Sequence, residues 1–288
     1  MVYYLLGYGQ RRSVQMTQVP TLQLNNGHKM PQLGLGVYKA IEEDEITHAI
    51  DTALSEGYRL IDTASVYKNE DGVGNAIKAC ALPREDIFVT TKIWNNAQRL
   101  GNVEGAFNRS LERLQLDHVD MYLIHWPVPG CYTGTWSHME QLYRSGVARS
   151  IGVSNFDINN LEELAQSSGI VPAVNQIEFH PLWNQPEILA YCQAKGIVVQ
   201  AYAPLARGAY KDNELLTDIG LRYNKTATQV GLRWLVQKGV AIIPKSTNEE
   251  RIISNSQVFD FNLTEDEMLA IDGLDEKYRS SSVPEDLL

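Results

Sequence analysis

The sequence has few cysteines, no long apolar run and no excess of positive charge. Its three cysteines show neither the spacing of metal ligands nor the even number of a disulfide framework, so we predict no metal site and a reducing, cytoplasmic setting. No apolar run approaches the roughly 20 residues that cross a bilayer, which argues against a membrane protein. A formal net charge of -10 without any basic run argues against binding to nucleic acid or to an anionic membrane.

The first fifteen residues do not resemble a targeting signal. Their short apolar patch is followed by Arg11 and Arg12, whereas a secretory signal carries its positive charge in front of the apolar stretch. We interpret residues 1–15 as an extension outside the fold, with Met16 as the natural start, because regular patterning begins only after it. No linker rich in Pro, Gly or Ser divides the rest, so residues 16–288 are predicted to form a single domain.

A hairpin and eight strand-like runs follow in order. Apolar and polar residues alternate on both sides of Asn26-Gly27, which is the strongest short-range hairpin signal. The later runs are almost continuously apolar, as in a parallel sheet that is buried on both faces. These runs occupy residues 33–37, 59–64, 87–93, 119–125, 150–154, 173–179, 198–203 and 240–246.

Helical patterns separate these runs. Strands that alternate with helices predict an α/β fold, here a (β/α)8 TIM barrel with the N-terminal β-hairpin capping the barrel bottom. No glycine-rich dinucleotide fingerprint follows the first run, which argues against an open doubly wound sheet. Thr264 and Glu267 form a capping box pattern, and the stretch between Asp212 and Lys238 predicts an extra helix. The other helical patterns cover residues 42–57, 103–114, 135–146, 158–169, 185–196 and 263–274.

Polar side chains lie at the ends of three successive runs. Asp62, Lys92 and His125 close the second, third and fourth runs, and Tyr67 follows shortly after Asp62. In a parallel barrel these strand ends meet at one face, where the chemistry of such folds takes place. An ammonium beside a phenol is expected to lower the phenol pKa, so Lys92, oriented by Asp62, would make Tyr67 a better acid. His125 would orient a carbonyl by donating a hydrogen bond, and the set suits proton delivery to a carbonyl that receives a hydride.

Eight motifs in order give the chain a resemblance to the aldo-keto reductases along its length after Met16. They are GLGVYK, DTASVYKNE, TTKIW, DMYLIHWP, IGVSNF, NQIEFHP, AYAPL and IPKSTNEERI. The resemblance implies a monomeric barrel that binds NADPH across its mouth without a Rossmann fold. It also implies that Tyr67 is the general acid, that Asp62 and Lys92 tune it, and that His125 orients the carbonyl.

The resemblance further implies which residues bind the cofactor and the substrate. Ser154, Asn155 and Gln176 match the nicotinamide carboxamide site, Tyr202 the aromatic stacked on the nicotinamide ring, and Asn255 the adenine contact. Lys245, Ser246 and Arg251 match the site of the adenosine 2'-phosphate, where two fixed cations in an acidic protein suit a phosphate. Gly36, Val37 and Leu205 match further positions that contact the cofactor. Tyr38, Trp94 and Trp126 match the positions that line the substrate pocket. Ser254 departs from the family's usual glutamate, and the tail after Arg279 lacks the usual glycine and proline.

Two other functions remain open at this point. A nicotinamide-binding redox sensor or regulatory subunit would keep the cofactor site with little catalysis, whereas the intact set of four favours an enzyme. A sugar-phosphate isomerase or aldolase on the same fold would need motifs that the chain lacks. The short loop after the fourth run and the brief tail resemble the microbial branch with 2,5-diketo-gluconate reductases and prostaglandin F synthase-like enzymes. The small-molecule carbonyl that is reduced stays open among sugars, keto-acids, methylglyoxal, aromatic aldehydes and quinones.

Overall fold

A computed structural model describes residues 19–287, in which a hairpin precedes eight parallel strands. The predicted extension, residues 1–15, and the start at Met16 lie outside the described residues. The hairpin pairs β1 (Thr21–Gln23) with β2 (Lys29–Pro31) antiparallel. The parallel strands are β3 (Leu35–Gly36), β4 (Leu60–Asp62), β5 (Phe88–Ile93), β6 (Met121–Ile124), β7 (Ile151–Ser154), β8 (Val174–Glu178), β9 (Val198–Tyr202) and β10 (Ala241–Ile242).

The eight parallel strands close into a barrel. Each strand pairs with the next one along the chain, from β3 to β10. Parallel bridges from Leu33 to Ile242 and from Gly36 to Lys245 then join the first strand to the last. The predicted (β/α)8 fold is therefore confirmed, and each predicted run contains one barrel strand.

Helices follow the strands around the outside, and their bounds largely match the sequence patterns. The capping box of Thr264 and Glu267 is formed, and α8 with α9 supplies the predicted helices before the last strand. The sequence patterns missed α2, α3 and α10. Within the described part of the chain, no helix is long and apolar enough to cross a membrane. The helices are α1 (Glu43–Ser55), α2 (Glu70–Ala79), α3 (Asn95–Arg99), α4 (Val103–Leu114), α5 (Tyr132–Arg144), α6 (Ile158–Ser167), α7 (Pro186–Ala194), α8 (Glu214–Tyr223), α9 (Ala227–Gln237), α10 (Glu249–Ser256) and α11 (Glu265–Asp272).

The barrel interior is apolar at one end and polar at the other. Side chains on a strand alternate between its two faces, so every second residue points inward. On β4 the inward positions run from Leu60 to Asp62, and on β5 they run from Phe88 to Lys92. The strands β8 and β9 follow the same order, with apolar residues first and polar residues last. On β6 the inward Met121 and Leu123 are apolar, and the polar His125 follows just beyond the strand. The carboxyl ends of the strands therefore collect the polar side chains.

The hairpin plugs the apolar end. Leu24 and Met30 are buried in one cluster with the first inward residues of the strands, among them Leu60, Phe88 and Met121. The predicted position of the hairpin at the barrel bottom is therefore confirmed. Above this plug the interior leaves no room for a side chain at Gly152, because a Cβ there would lie 2.7 Å from the Val174 carbonyl oxygen.

Candidate active site

The barrel brings Asp62, Tyr67, Lys92 and His125 together at its carboxyl end. The Lys92 Nζ lies 2.5 Å from Asp62 Oδ1 and also donates to the Thr63 carbonyl at 2.9 Å, and the two charged side chains are buried. The Tyr67 ring centroid lies 5.1 Å from Lys92 Nζ and 5.7 Å from the centroid of the His125 ring. The four residues that the sequence singled out therefore form one cluster.

A short 3-10 turn, Ser65–Tyr67, places the phenol over this cluster. The Ser65 hydroxyl donates to the Lys92 carbonyl at 2.9 Å, which ties the turn to β5. Lys68 ends the turn in the left-handed conformation, with φ of 56°. The position of Tyr67 is therefore fixed by contacts to the strand that carries Lys92.

The pKa of Tyr67 is raised well above 10, opposite to the expectation from the sequence. Burial contributes most to this rise in pKa, and the charge of Asp62 adds to it. The expectation was wrong because it left out the burial of the phenol and the nearby charge of Asp62, which both raise the pKa. Burial also lowers the pKa of Lys92, against the opposing effect of Asp62. Burial and the charge of Lys92 lower the pKa of His125 well below 6.5, so its imidazole is neutral at pH 7.

Gln176 is held with one acceptor directed at the site. Its Nε2 donates to Asp62 Oδ2 and to Gln200 Oε1, both at 2.7 Å, which uses both amide hydrogens and fixes the side chain. No donor within residues 19–287 reaches Gln176 Oε1 within hydrogen-bonding distance. That oxygen suits an amide N–H of a bound group, as the predicted carboxamide site requires.

Asn155 occupies a strained position beside Gln176. Its φ of 63° lies in the left-handed region, which a residue with a side chain adopts at an energetic cost. The side chain is fixed on both sides, since Nδ2 donates to the His125 carbonyl at 3.0 Å and Oδ1 accepts from the Tyr202 hydroxyl at 2.8 Å. The neighbouring Ser154 hydroxyl donates to the Gln176 carbonyl at 2.8 Å. The predicted carboxamide residues and Tyr202 thus form one network.

Two exposed cations lie beyond the last strand, as the resemblance predicted. Lys245 follows β10, and Arg251 lies in the first turn of α10, whose N-cap residue Asn248 accepts from the Arg251 N–H at 3.0 Å. In the part of the chain that the structure describes, no carboxylate lies within 4.0 Å of either cation. Ser246 and Asn255 are buried nearby on the same segment. The arrangement leaves two positive charges and a helix N-terminus available to an anion.

The remaining predicted cofactor positions line the first strand and the loop after β9. Gly36 pairs with Lys245 at the seam of the barrel, where a Cβ would come within 3.0 Å of the Ile243 carbonyl oxygen. Val37 is buried and donates its N–H to the Asp62 carbonyl at 3.2 Å. Leu205 is partly buried in the loop that follows β9.

Aromatic rings surround the phenol. The Tyr38 ring, which is 45% exposed, lies 4.9 Å from the Tyr67 ring, and the Trp94 ring lies 5.0 Å from the His125 ring. Trp126 follows His125 in the chain and faces the Arg279 guanidinium, 5.6 Å from its ring centroid. The three predicted pocket residues therefore lie next to the catalytic candidates or at the tail.

The sequence interpretation missed the role of Glu178 at the same end of the barrel. Glu178 is buried and accepts from His180 Nε2 at 3.1 Å and from two backbone N–H groups of the C-terminal tail. Arg279, whose part was left open, lies between Trp126 and Trp183. The alternation along β8 contained a signal for Glu178, since it lies two residues after Gln176 and points to the same side.

Comparisons with known proteins agree with this geometry. The Aldo/keto reductase family pattern matches residues 30–276. The chain is 48% identical over 268 residues to the glyoxal reductase of Bacillus subtilis, covering 93% of this chain and 97% of that protein. It is 46% identical over 275 residues to the methylglyoxal reductase DkgA of Yersinia pestis, covering 94% and 98%. The crystal structure of a Bombyx mori aldo-keto reductase in complex with NADP is 38% identical and superposes with a TM-score of 0.86, covering 93% of this chain and 96% of that one. The chain belongs to the aldo/keto reductase family.

Proposed function

We propose that this protein reduces aldehydes and ketones to alcohols with NADPH, and that Tyr67 delivers the proton. The observation that carries the proposal is the buried Lys92–Asp62 pair, with the phenol of Tyr67 and a neutral His125 beside it. Burying two charges costs several kcal/mol for each ion unless they are paired, so such a pair beneath a half-buried phenol indicates catalytic use.

Each member of the cluster has a distinct part. Tyr67 stays protonated at neutral pH and gives its proton to the carbonyl oxygen as negative charge develops there. Lys92, oriented by Asp62, stabilises the phenolate that remains. His125 is neutral, so it donates one hydrogen bond to the carbonyl without competing as an acid.

The bound NADPH would supply the hydride. Gln176, Asn155 and Ser154 would hold its carboxamide, and the ring of Tyr202 would stack on its nicotinamide. Gln176 Oε1 fits this role because its amide hydrogens are already donated within the protein. Lys245, Ser246 and Arg251 would hold the 2'-phosphate, with Asn255 at the adenine and Gly36, Val37 and Leu205 along the cofactor.

Small aldehydes, including 2-oxoaldehydes, are the proposed substrates. Tyr38, Trp94 and Trp126 provide an aromatic wall, and two relatives carry the names glyoxal reductase and methylglyoxal reductase. The regulatory alternative finds no support among these named relatives. A monomer in the cytoplasm remains the expectation from the sequence, and residues 16–288 remain the proposed domain.

NADPH consumption with a panel of aldehydes, dicarbonyls and a quinone tests the proposal. Tyr67→Phe should bind NADPH and lose nearly all turnover, because only the transferable proton is removed. Tyr38→Phe is the matched control, since it removes a hydroxyl from the ring 4.9 Å away and should keep most of the activity. Wild-type turnover in Tyr67→Phe would refute the acid assignment, and cofactor binding without any carbonyl reduction would refute the enzyme.

A further inference from the structure

The C-terminal tail crosses the barrel mouth and is fastened at two points. After α11, Ser280 and Ser281 are bonded to Glu178 at the end of β8. Six residues beyond Ser280, the carboxylate of Asp286 contacts Asn95 and Arg99 on α3, which follows β5. The strands β5 and β8 are three places apart in the barrel, so the tail between these anchors spans the strand ends that carry His125 and Ser154.

Glu178 forms the inner anchor with both of its oxygens. Oε1 accepts from the Ser280 N–H at 2.6 Å, from the Ser280 hydroxyl at 2.5 Å and from His180 at 3.1 Å. Oε2 accepts from the Ser281 N–H at 3.2 Å and lies 3.9 Å from Arg279 Nε. Burial acts to raise the pKa of Glu178, but the hydrogen bonds from His180 and Ser280 lower it overall, so the carboxylate is charged. A buried carboxylate that accepts several hydrogen bonds from the tail holds the tail firmly in place.

Arg279 extends this anchor toward the nicotinamide subsite. Its guanidinium lies 5.6 Å from the ring centroid of Trp126 and 5.2 Å from that of Trp183, a geometry that favours cation–π attraction to both. Tyr202 pairs with Glu178 across β8 and β9, and Arg279 Nε lies 3.9 Å from Glu178 Oε2, which places Arg279 beside the end of β9. Tyr202 in turn donates to Asn155. Glu178, Arg279 and Tyr202 therefore lie side by side next to the carboxamide residues.

We propose that Glu178 is a positioning residue, which fastens the tail so that Arg279 holds Tyr202 in place to receive the nicotinamide. The inference rests on the proposed cofactor site and extends it to the tail. Substitution of Glu178 or Ser280 should therefore weaken binding of the nicotinamide half of the cofactor and leave binding of the phosphate half unchanged. Lys245 and Arg251 lie beyond β10 and bind the 2'-phosphate without the tail.

Two ligands separate the two halves of the site. NADPH engages both, whereas 2'-phospho-ADP-ribose lacks the nicotinamide and reports only the phosphate half. In Glu178→Gln and Ser280→Ala, the affinity for NADPH, measured by quenching of tryptophan fluorescence, should fall roughly tenfold, the equivalent of one lost charge-assisted hydrogen bond. The affinity for 2'-phospho-ADP-ribose should change by less than about twofold, because Lys245 and Arg251 are untouched.

Limited trypsin digestion of the full chain reports the fastening directly. The bonds after Lys277 and Arg279 should be cut roughly tenfold faster in both variants than in the wild type, since local opening exposes them. Ser282→Ala is the matched control, because this exposed tail serine makes no side-chain hydrogen bond to residues 19–287, and it should behave as the wild type. Ser280 lies outside the core, so Ser280→Ala still tests the inference if Glu178→Gln does not fold.

Three outcomes would overturn the inference. They are unchanged tail cleavage, faster cleavage with unchanged NADPH affinity, and an equal loss of affinity for both ligands. A wild-type protein that binds 2'-phospho-ADP-ribose and NADPH equally well, and reduces no carbonyl, would instead refute the proposed function.

Discussion

Lys92 and Asp62 form a fully buried ion pair, with 2.5 Å between Nζ and Oδ1, beneath the phenol of Tyr67. The pair does not lower the phenol pKa, because burial of the phenol raises this pKa and the charge of Asp62 adds to the rise. It also fixes Gln176, which donates to the second oxygen of Asp62. One ion pair thus links the acid candidate to the proposed carboxamide site.

Removing one partner of this pair should destabilise the fold strongly. Lys92→Met leaves the Asp62 carboxylate buried without its cation and should lower the free energy of unfolding by about 3–5 kcal/mol. Adding Asp62→Asn removes that charge, so the double variant should be more stable than Lys92→Met alone. Urea unfolding, followed by tryptophan fluorescence, measures this. Lys211→Ala breaks the exposed pair with Asp212 and should cost no more than about 1 kcal/mol. A double variant less stable than Lys92→Met would contradict the argument.

The phenol of Tyr67 should remain protonated up to pH 10 and beyond. Its folded-state pKa is raised, so its contribution to stability is complete below the unfolded pKa of about 10 and is lost as the pH rises through the folded value. Carbonyl reduction should therefore show no decline from this group between neutral pH and pH 10. The difference in phenolate absorbance between wild type and Tyr67→Phe, recorded against pH, checks the assignment. A Tyr67 phenolate that appears below pH 10 would count against it.

The two cations beyond β10 should set the preference for NADPH over NADH. Arg251→Ala or Lys245→Ala removes a charge-assisted contact worth about 1.5–3 kcal/mol, so the ratio of kcat/KM for NADPH to that for NADH should fall about ten- to hundredfold. Lys29→Ala, at the barrel bottom, controls for the change in net charge and should leave the ratio unaltered. Equal losses with both cofactors would place the 2'-phosphate elsewhere.

Two glycines should respond to alanine in opposite directions. In Gly152→Ala the new Cβ would lie 2.7 Å from the Val174 carbonyl oxygen and 2.8 Å from a methyl group of Leu123, and such overpacking costs about 1–3 kcal/mol. Gly134→Ala, in the first turn of α5, meets no atom within 4 Å and should stabilise by about 0.4–1 kcal/mol. Urea unfolding of both variants measures the contrast. A stable Gly152→Ala protein would mean that β7 and β8 can separate.

Much of the site was predictable because strand periodicity and barrel topology together fix where strand ends meet. Asp62, Lys92 and His125 end neighbouring parallel strands, and this alone places them at one face. The direction of the pKa shift at Tyr67 was not predictable. It depends on how deeply the phenol is buried and on how close it lies to Asp62, and a sequence contains neither quantity.

The tail and α2 were missed for other physical reasons. The bond between Glu178 and Ser280 joins residues 102 positions apart, and no local pattern reports such a contact. The helix α2 contains Gly72 and Gly74, which weaken a helical pattern in isolation. Tertiary packing explains Gly74, since a Cβ there would lie 2.4 Å from the Leu114 carbonyl oxygen.

The closure of the barrel between β3 and β10 has a consequence for the order in which the chain is made. The Gln32 side chain donates to the Val240 carbonyl, 208 positions away, and the hairpin residues Leu24 and Met30 pack in the same cluster as Ile243. The ribosome therefore synthesises the hairpin first, and the last residues that pack against the hairpin only near the end of synthesis. Until β10 emerges, β3 and β9 are open sheet edges, which are prone to pair with other chains. A chain stopped after Gly239 should therefore aggregate more readily than the full chain.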